Sequence, residues 1–461
     1  MDKLYQTKKG GIVIPNTDFI TNVLNISKDD INTLNVSFND DVVTYEITLK
    51  RKKLDCPLCG GKLISHGHGR AKPIKSASLR EYKNIILYRA NRYLCTECNH
   101  SFTQENPFTY SKFSSTYQLM RNVLTYLGNL NYTLDMISKE LKISNTQVNN
   151  YLDSFITIPK LELPEWLGID ELHNPELSYK HSSYLCVLVD CNQRCIYDVL
   201  GSRSKDYLSN HFSALTVEER SKVKYVTIDL WLPYKEIAKK YFPSCLIAVD
   251  PYHYVSHLCD DFDRLRLDLM NQCVYGSNAY YLLKKWNWLL TTDNVNLDND
   301  KVYNNRFKCK LNRRDIFNMI MDTFPSLADA YYLKEEFRRF VRESDYQTAL
   351  NNYDNYINNF KDCGIKEYDE FTNILINWKE EILNSFLRPY DEHKLSNALT
   401  EMINGKLGAY IRISHGISNF TRFRKRVLYA LNPKIFYSLT SVLSSDKHEG
   451  RKRGTYNKVK E

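Results

Sequence analysis

Two pairs of cysteines near the start of the chain constrain its fold more than any other feature. Each pair has the spacing C-x2-C, and the pairs lie some forty residues apart. This spacing lets two thiolates occupy one edge of a tetrahedral metal site, so two such pairs complete a four-sulfur zinc site. The sequence therefore predicts one structural Zn2+ ion, and its ligands are Cys56, Cys59, Cys95 and Cys98.

Positive charge is concentrated around these cysteines. Residues 51–93 contain eleven Lys and Arg against the two acids Asp55 and Glu81, a net charge of +9. Clustered cations are the electrostatic signature of a phosphate-binding protein, although an ordinary solvated surface is the alternative. The cations of this segment that we expect to contact DNA are Arg70, Lys72, Lys75 and Arg92.

A second basic stretch lies near the C-terminus. Residues 402–445 contain seven Lys and Arg and no acid, and Arg451-Lys452-Arg453 adds a further cluster. For that last cluster a solvated surface is an equally good interpretation. The cations of this region that we expect to contact DNA are Arg422, Arg424, Lys425 and Arg426.

Length and composition place the chain among folded proteins of several domains. At 461 residues it is too long for one core and predicts two to four domains. No window of about 18 consecutive apolar residues predicts a membrane-spanning helix, and the first residues lack the apolar core of a signal peptide. We therefore expect an intracellular protein without a membrane partner, in which twelve cysteines bind metal or are buried.

The N-terminal third is predicted to contain strands and then helices. Within an N-terminal segment over residues 1–50, Val42–Leu49 is rich in β-branched residues, and residues 82–93 have the same character. These patterns predict a small zinc-binding β module over residues 51–108. Residues 114–158 then change to helical periodicity.

That helical stretch is interrupted by a short polar turn, after which Ser144 is suited to cap a helix ending at Phe155. A helix, a tight turn and a second helix are typical of a helix-turn-helix DNA-binding domain. A three-helix packing unit without DNA contact is the alternative. The side chains that we expect to reach base edges or phosphates are Asn145, Thr146, Gln147 and Asn149.

Beyond Pro164 the pattern predicts three strands, a helix, a strand, a helix and a strand. This is the order of a ribonuclease-H-like core, whose first part we predict over residues 165–257. The fold class is thus multidomain α/β, with this core interrupted by a large α-helical insertion and preceded by the zinc module and the helix-turn-helix. The remaining predicted segments are the insertion over residues 258–390, C-terminal helices of the core over 391–432, and a basic tail over 433–461.

Three acids are notable for where they fall. Asp170 ends the first predicted core strand and Asp229 ends the fourth, and in this connectivity the two strands lie side by side. Clustered carboxylates repel one another unless divalent cations bind them, and hard oxygen ligands select Mg2+ or Mn2+. Glu401 lies on a predicted late helix. The alternatives are turn or helix caps for the two aspartates and an exposed helical position for the glutamate.

The ordered series of motifs resembles that of the ISL3-family insertion-sequence transposases. The similarity extends over residues 50–432 and includes both cysteine pairs and the helices that follow them. The further matching segments are Ile169-Asp170-Glu171, Gly201-Ser202-Arg203-Ser204, Ile228-Asp229-Leu230-Trp231-Leu232-Pro233-Tyr234, Ala248-Val249-Asp250-Pro251-Tyr252-His253, Tyr332-Leu333-Lys334-Glu335-Glu336-Phe337, Trp378-Lys379-Glu380-Glu381-Ile382-Leu383-Asn384 and Ser396-Asn397-Ala398-Leu399-Thr400-Glu401-Met402-Ile403-Asn404.

The resemblance implies a DDE-type DNA transposase in which Asp170, Asp229 and Glu401 are the catalytic acids and bind two Mg2+ or Mn2+ ions. It implies phosphodiester hydrolysis at the transposon's terminal inverted repeats, followed by attack of the freed 3′-hydroxyl on target DNA. It also implies a homodimer or larger oligomer on double-stranded DNA, in a bacterial cytoplasm and associated with the nucleoid. His253 and Trp231 are expected to contact DNA, with a core histidine and a packing tryptophan as alternatives.

Three other functions are compatible with these features. A domesticated, transposase-derived regulator would bind DNA without catalysis, although it has no use for clustered carboxylates. A ribonuclease-H-fold nuclease would cut DNA without strand transfer. A zinc-stabilised scaffold would lack tight, salt-sensitive DNA binding.

Overall fold

The computed structural model describes residues 24, 26–79, 82–109, 113–179, 182–390, 393–439 and 451–452. Most of the predicted basic tail, including Arg453, and most of the first 25 residues therefore lie outside the described residues. The chain forms two compact units. The first unit contains Met1–Pro159 and Ala409–Glu461, and the second contains Lys160–Gly408.

The strands and helices are numbered in chain order. The strands are β1 (Ile31–Asn39), β2 (Val42–Leu49), β3 (Leu63–His68), β4 (Lys72–Leu79), β5 (Tyr82–Arg89), β6 (Asn91–Cys95), β7 (His100–Thr103), β8 (Trp166–His173), β9 (Tyr184–Asp190), β10 (Cys195–Leu200), β11 (Tyr225–Ile228), β12 (Leu246–Val249), β13 (Val302–Asn304), β14 (Cys309–Leu311) and β15 (Arg451–Lys452). The helices are α1 (Tyr117–Leu127), α2 (Leu134–Glu140), α3 (Asn145–Phe155), α4 (Lys205–Ser213), α5 (Val217–Arg220), α6 (Leu232–Tyr241), α7 (Pro251–Gln272), α8 (Asn278–Lys285), α9 (Trp288–Thr291), α10 (Arg313–Thr323), α11 (Pro325–Glu343), α12 (Tyr346–Asp362), α13 (Asp369–Asn377), α14 (Lys379–Asn384), α15 (Ala398–Ile413) and α16 (Phe420–Leu431).

The first unit contains two four-stranded sheets. One has the order β1-β2-β5-β4 and the other β15-β7-β6-β3. The strand predicted over residues 82–93 is divided between them at Ala90, and the buried side chain of Asn91 explains the break. Its amide donates to the backbone oxygen of Leu49 at 2.9 Å and to the side chain of Gln104 at 2.7 Å, which ties the start of β6 to both neighbours.

Three helices follow the sheets in the same unit. The hydroxyl of Ser144 accepts a hydrogen bond from the backbone N–H of Gln147 at 3.2 Å, so the predicted cap of α3 is confirmed. α16 contacts α1 and α3, and its buried apolar side chains are Phe423, Val427 and Leu428. The predicted C-terminal core segment over residues 391–432 is consequently divided, because Ala409 onward belongs to the first unit.

The second unit is built on a five-stranded sheet with the order β10-β9-β8-β11-β12. β8, β9 and β10 pair antiparallel, whereas β11 pairs parallel with both β8 and β12. These are the elements that the sequence predicts, in the same chain order. In the β8–β11 register Thr227 lies opposite Gly168, so the next residues of both strands run to the same edge of the sheet.

The predicted insertion is mostly helical and shares one apolar core with the sheet. Helix α14 packs against β12, where the Asn384 amide donates to the backbone oxygen of Ile247 at 2.8 Å. The hairpin β13–β14 was not predicted, because its short strands lie in an Asn- and Asp-rich stretch that favours loops. Within the described part of the chain, no helix is both long enough and apolar enough to cross a membrane.

Candidate functional site

The central feature of the second unit is a cluster of acids at the edge of the sheet where β8 and β11 are neighbours. One carboxylate oxygen from each of Asp170, Glu171 and Asp229 lies within 4.8 Å of the others. Asp170 and Asp229 lie two residues beyond the paired Gly168 and Thr227, so the parallel register brings them to the same level. The structure therefore brings together two of the three predicted acids and adds Glu171, which was not predicted.

Burial and mutual repulsion make this cluster unfavourable for negative charge. Burial raises the pKa of Asp170 to about 7, with contributions from the charges of Asp229 and Glu171. Burial also raises the pKa of Asp229 to about 7, and Glu171 adds to this effect while Arg203 opposes it. Oδ1 of Asp229 and Oε2 of Glu171 are buried without a hydrogen-bond partner. These oxygens are the donor set that a hard divalent cation requires.

Glu401 lies near the cluster but is not part of it. Among the described residues, the group of acids within 4.8 Å of one another does not include Glu401. Its Oε1 lies 3.8 Å from Nε2 of His253, whose charge acts on both Glu401 and Asp170. Burial raises the pKa of Glu401, and nearby Asp250 adds to this effect. His253 thus connects Glu401 electrostatically to Asp170.

Helix α15 is held against β8 by buried polar contacts. The Asn397 amide donates to the backbone oxygen of Ile169 at 2.9 Å, and its backbone N–H donates to Asp250. One turn beyond Glu401, the Asn404 amide donates to Oδ2 of Asp170 at 2.9 Å. Gly168 permits this close approach, because a Cβ there would overlap Oγ1 of Thr400. Asn404 therefore fixes the orientation of one catalytic candidate directly.

Arg203 lies beside the acids and explains a matching segment that had no assigned role. Its guanidinium forms an ion pair with Glu171 and stacks over the ring of Tyr184, 3.8 Å from the centroid. It also lies 4.5 Å from the ring centroid of Trp231, whose ring in turn packs against that of Tyr234. The contacts of Trp231 thus agree with the packing alternative.

The four predicted zinc ligands converge in the first unit. All four sulfurs lie within 4.8 Å of one another, and two pairs, Cys56 with Cys98 and Cys59 with Cys95, are separated by 3.6 and 3.5 Å. A tetrahedral site with Zn–S bonds of about 2.3 Å needs sulfur separations of about 3.8 Å, close to these values. The four-cysteine group fits zinc binding.

The backbone after each cysteine pair supports the same conclusion. Gly60 and Asn99 occupy equivalent positions, and both have the left-handed conformation, with φ of 73° and 56°. This turn directs the backbone N–H groups back toward the sulfurs. The N–H of Cys98 donates to Sγ of Cys95 at 3.5 Å, a contact that favours the thiolate that binds metal.

The predicted DNA-contacting residues of the N-terminal region fall into three groups, which differ in their contacts and exposure. Lys75 and Gln147 bind each other at 2.8 Å, and Gln147 also donates to Tyr151 at 2.7 Å, so both side chains link β4 to α3. Arg92 and Asn149 are half-buried. The side chains that are exposed are those of Arg70, Lys72, Asn145 and Thr146.

The basic residues of α16 are largely engaged within the first unit. Arg422 donates two hydrogen bonds to Asp153, at 3.0 and 2.8 Å. Lys425 donates to the backbone oxygens of Leu152 and Asp153, near the C-terminal end of α3, where a cation is favoured.

Arg426 is 1% exposed and donates to the backbone oxygens of Asn129 and Tyr132. Arg424 is half-buried. Much of the positive charge of the acid-free stretch, which the sequence suggested for DNA binding, is therefore engaged in contacts within the first unit.

Sequence reasoning missed three residues of the site. Alternation along a strand predicts opposite directions for Asp170 and Glu171, so the strand pattern gives no reason to group them. Arg203 and Asn404 were each visible as part of a matching segment, and the spacing of three residues from Glu401 to Asn404 also places those two on one helix face.

Comparisons with known proteins define the class to which this arrangement belongs. The family model for DDE transposases of the ISL3 type, described as "Transposase", matches residues 167–427. That span is more than half of the chain, so the chain belongs to the ISL3 family of transposases, and the predicted resemblance is confirmed. The family implies a ribonuclease-H-like core and the use of divalent metal.

One curated relative extends the similarity beyond the core. The chain is 21% identical over 392 residues to the transposase for insertion sequence element IS1001 of Bordetella parapertussis. The alignment covers 81% of this chain and 88% of that protein. The similarity therefore reaches beyond the span of the family model.

Proposed function

We propose that this chain is a DNA transposase that hydrolyses a phosphodiester at the terminal inverted repeats of its element and joins the freed 3′-hydroxyl to target DNA. The observation that supports this most strongly is the buried cluster of Asp170, Glu171 and Asp229. Two of its buried oxygens, Oδ1 of Asp229 and Oε2 of Glu171, have no hydrogen-bond partner. The protein without metal therefore bears an electrostatic cost that a bound cation would remove.

The catalytic acids in this proposal are Asp170, Asp229 and Glu401, and they would hold two Mg2+ or Mn2+ ions. Such ions activate a nucleophilic oxygen and stabilise the leaving oxygen of a phosphodiester. The side chains of the protein orient this site. Asn404 holds Oδ2 of Asp170, and the ion pair with Arg203 restrains Glu171.

His253 has a separate role in the proposal. Its ring is one-third exposed and lies beside Glu401, so it is accessible to the scissile phosphate or a base. The imidazole is suited to donate a hydrogen bond to a phosphate oxygen there, which orients the substrate.

DNA binding is assigned to the first unit. The exposed Arg70 and Lys72 lie where β3 connects to β4, and α3 presents Asn145 and Thr146 as the exposed side chains of a helix-turn-helix. One structural Zn2+ on the four cysteines would fix the loops that carry the basic strands. Because two element ends must be joined in one complex, we expect a homodimer or larger oligomer, located with the nucleoid in the cytoplasm.

The test uses DNA that carries the element's own ends, with Mg2+ or Mn2+ present. Asp170→Asn and Asp229→Asn should lose cleavage and strand transfer but keep wild-type affinity for the ends, measured by fluorescence anisotropy. Asp260→Asn, an exposed acid on α7, is the matched control and should retain activity. Cleavage by either cluster variant would refute the assignment.

The same assay separates the rival functions. A wild-type protein that binds the ends without cutting them would be a regulator, and one that cuts without strand transfer would be a nuclease. The observation that disfavours a regulator is the buried acid cluster, because it destabilises the folded protein unless a cation is bound.

A further inference from the structure

The helical insertion carries an exposed surface on which aromatic rings and cations alternate, far in sequence from the zinc module and α3. It comprises the α7–α8 loop, helix α8 and the β13–β14 hairpin. The loop residues Val274 and Tyr275 are 78% and 83% exposed, and the hairpin residues Val302 and Tyr303 are 66% and 56% exposed. Such a concentration of exposed large apolar side chains marks a binding surface.

The rings and the cations of this surface are in contact with each other. The ring of Tyr275 lies 5.1 Å from that of Tyr280, and Lys284 lies 5.3 Å above the Tyr280 ring and donates to its hydroxyl at 3.2 Å. Lys285 and Arg306 lie over one further ring, that of Tyr281, at 5.3 and 5.8 Å.

Arg306 also connects the hairpin to the loop. It donates to the Asn278 side chain at 2.7 Å and to the backbone oxygen of Gly276, which has a positive φ of 74°. The loop that carries Tyr275 is therefore fixed by contacts on both sides, so its exposed ring is presented on an ordered support.

The charges of the surface are unbalanced. Two acids of the adjoining loop are directed to other cations, with Asp293 paired to Arg338 and Asp298 to Arg314, so the exposed Asp300 is the loop's remaining acid against the cations of the surface. Within the described residues, five cations of the surface have no carboxylate partner in an ion pair, and they are Lys284, Lys285, Arg306, Lys308 and Lys310. Phosphates are the complementary partner for such a group.

We propose that this surface binds an unpaired or distorted DNA strand, with the cations on the phosphates and Tyr275 stacked on an exposed base. Interleaved aromatic rings and cations are how proteins hold single strands, because every base offers a face for stacking. A fully stacked duplex offers phosphates but no free base, so Tyr275 should discriminate between the two forms. The inference rests on the proposed transposase function, since it assigns DNA to the insertion.

The experiment measures anisotropy of the full chain with three labelled probes: a blunt 30-base-pair duplex, a fork with unpaired arms and a single strand of the same sequence. Tyr275→Ala should weaken binding to the fork and the single strand by about ten-fold and leave the blunt duplex unchanged, because only unpaired bases stack on the ring. Tyr275→Phe keeps a ring and should bind like the wild type.

The paired variant Lys284→Ala/Lys285→Ala should weaken binding to all three probes. It should also reduce the slope of log affinity against log salt by about 1.4 for single strands, because two phosphate contacts are lost. Matched controls are Tyr332→Ala, 58% exposed on α11, and Lys361→Ala, exposed on α12. Both should bind every probe normally.

Unchanged binding of the fork by Tyr275→Ala, or an equal loss in Tyr332→Ala, would overturn the inference. A retained thermal midpoint checks that the exposed substitution has not altered the fold. If the cluster variants Asp170→Asn and Asp229→Asn abolish cleavage while the insertion variants bind normally, only this inference fails. If the cluster variants still cut, the proposed function fails independently.

Discussion

Replacing Asp170 by Asn should stabilise the apoprotein, and more strongly at high pH. Burial and the neighbouring acids raise the pKa of Asp170 to about 7, whereas the unfolded chain has the ordinary value of about 3.8. Between these values the folded protein retains a proton that the unfolded chain has released. The free energy of unfolding therefore falls as the pH rises from about 4 to about 7, and is constant above that.

The magnitude follows from the two pKa values. For an isolated group, linkage gives a destabilisation of about 2 kcal/mol at pH 5 and about 4 kcal/mol at pH 8. The titration of Asp229 is coupled to that of Asp170. We therefore expect Asp170→Asn to raise the free energy of unfolding by about 2 kcal/mol more at pH 8 than at pH 5. For a unit of this size that corresponds to roughly 4–8 °C in the apparent unfolding midpoint.

Calorimetry of the wild type and Asp170→Asn at both pH values, with a chelator present, measures this difference. Comparing the variant with the wild type at each pH cancels the titration of groups that do not interact with Asp170, and comparing the two pH values cancels any pH-independent change in the hydrogen bond from Asn404. Asp260→Asn controls for the loss of one exposed charge. Addition of Mn2+ should raise the wild-type midpoint and leave that of the variant unchanged. An equal shift at pH 5 and pH 8 would refute the electrostatic argument.

Three further predictions concern packing, charge and metal. Gly168→Ala should lower the thermal midpoint, because the added Cβ overlaps Thr400 and overpacking costs about 1–3 kcal/mol. Gly405→Ala in α15 points into open space and should raise the free energy of unfolding by about 0.5–1 kcal/mol. A Gly168→Ala variant as stable as the wild type would contradict the close packing of α15 on β8. Arg422→Ala should leave the affinity for DNA ends, measured by anisotropy, unchanged, since the guanidinium of Arg422 is paired with Asp153, whereas Lys72→Ala should weaken that affinity. A loss of affinity in Arg422→Ala would mean that this ion pair opens when DNA binds. Colorimetric assay should find one zinc per wild-type chain and none in Cys98→Ser, and full zinc in that variant would exclude the four-sulfur site.

The features that the sequence predicts well are those set by short-range chemistry. The spacing of Cys56 and Cys59 alone defines half of a zinc site, and the hydroxyl of Ser144 caps α3 as its position indicates. Asp170 and Asp229 were predicted as neighbours because strand order fixes which ends meet, and the register of β8 with β11 brings them together.

The features that sequence reasoning missed depend on how elements dock. A basic run such as that of α16 has the same composition whether its cations face phosphates or backbone oxygens, so only the packed structure reveals that Arg426 is buried. The break at Asn91 depends on Leu49 and Gln104, which lie on other segments. Glu171 joins the acids against the alternation of its strand, and Arg203 then offsets its charge.

The two-part composition of the first unit has a consequence for synthesis. Its apolar interior includes Phe423, Val427 and Leu428 of α16, which are synthesised only after the whole of the second unit. Until then α1 and α3 lack the helix that packs on them, and the backbone oxygens of Asn129 and Tyr132 lack their donor Arg426. A prematurely terminated chain that ends before α16 would therefore expose the apolar face of α1 and α3. Such a chain would be degraded by proteases rather than compete for the element's ends.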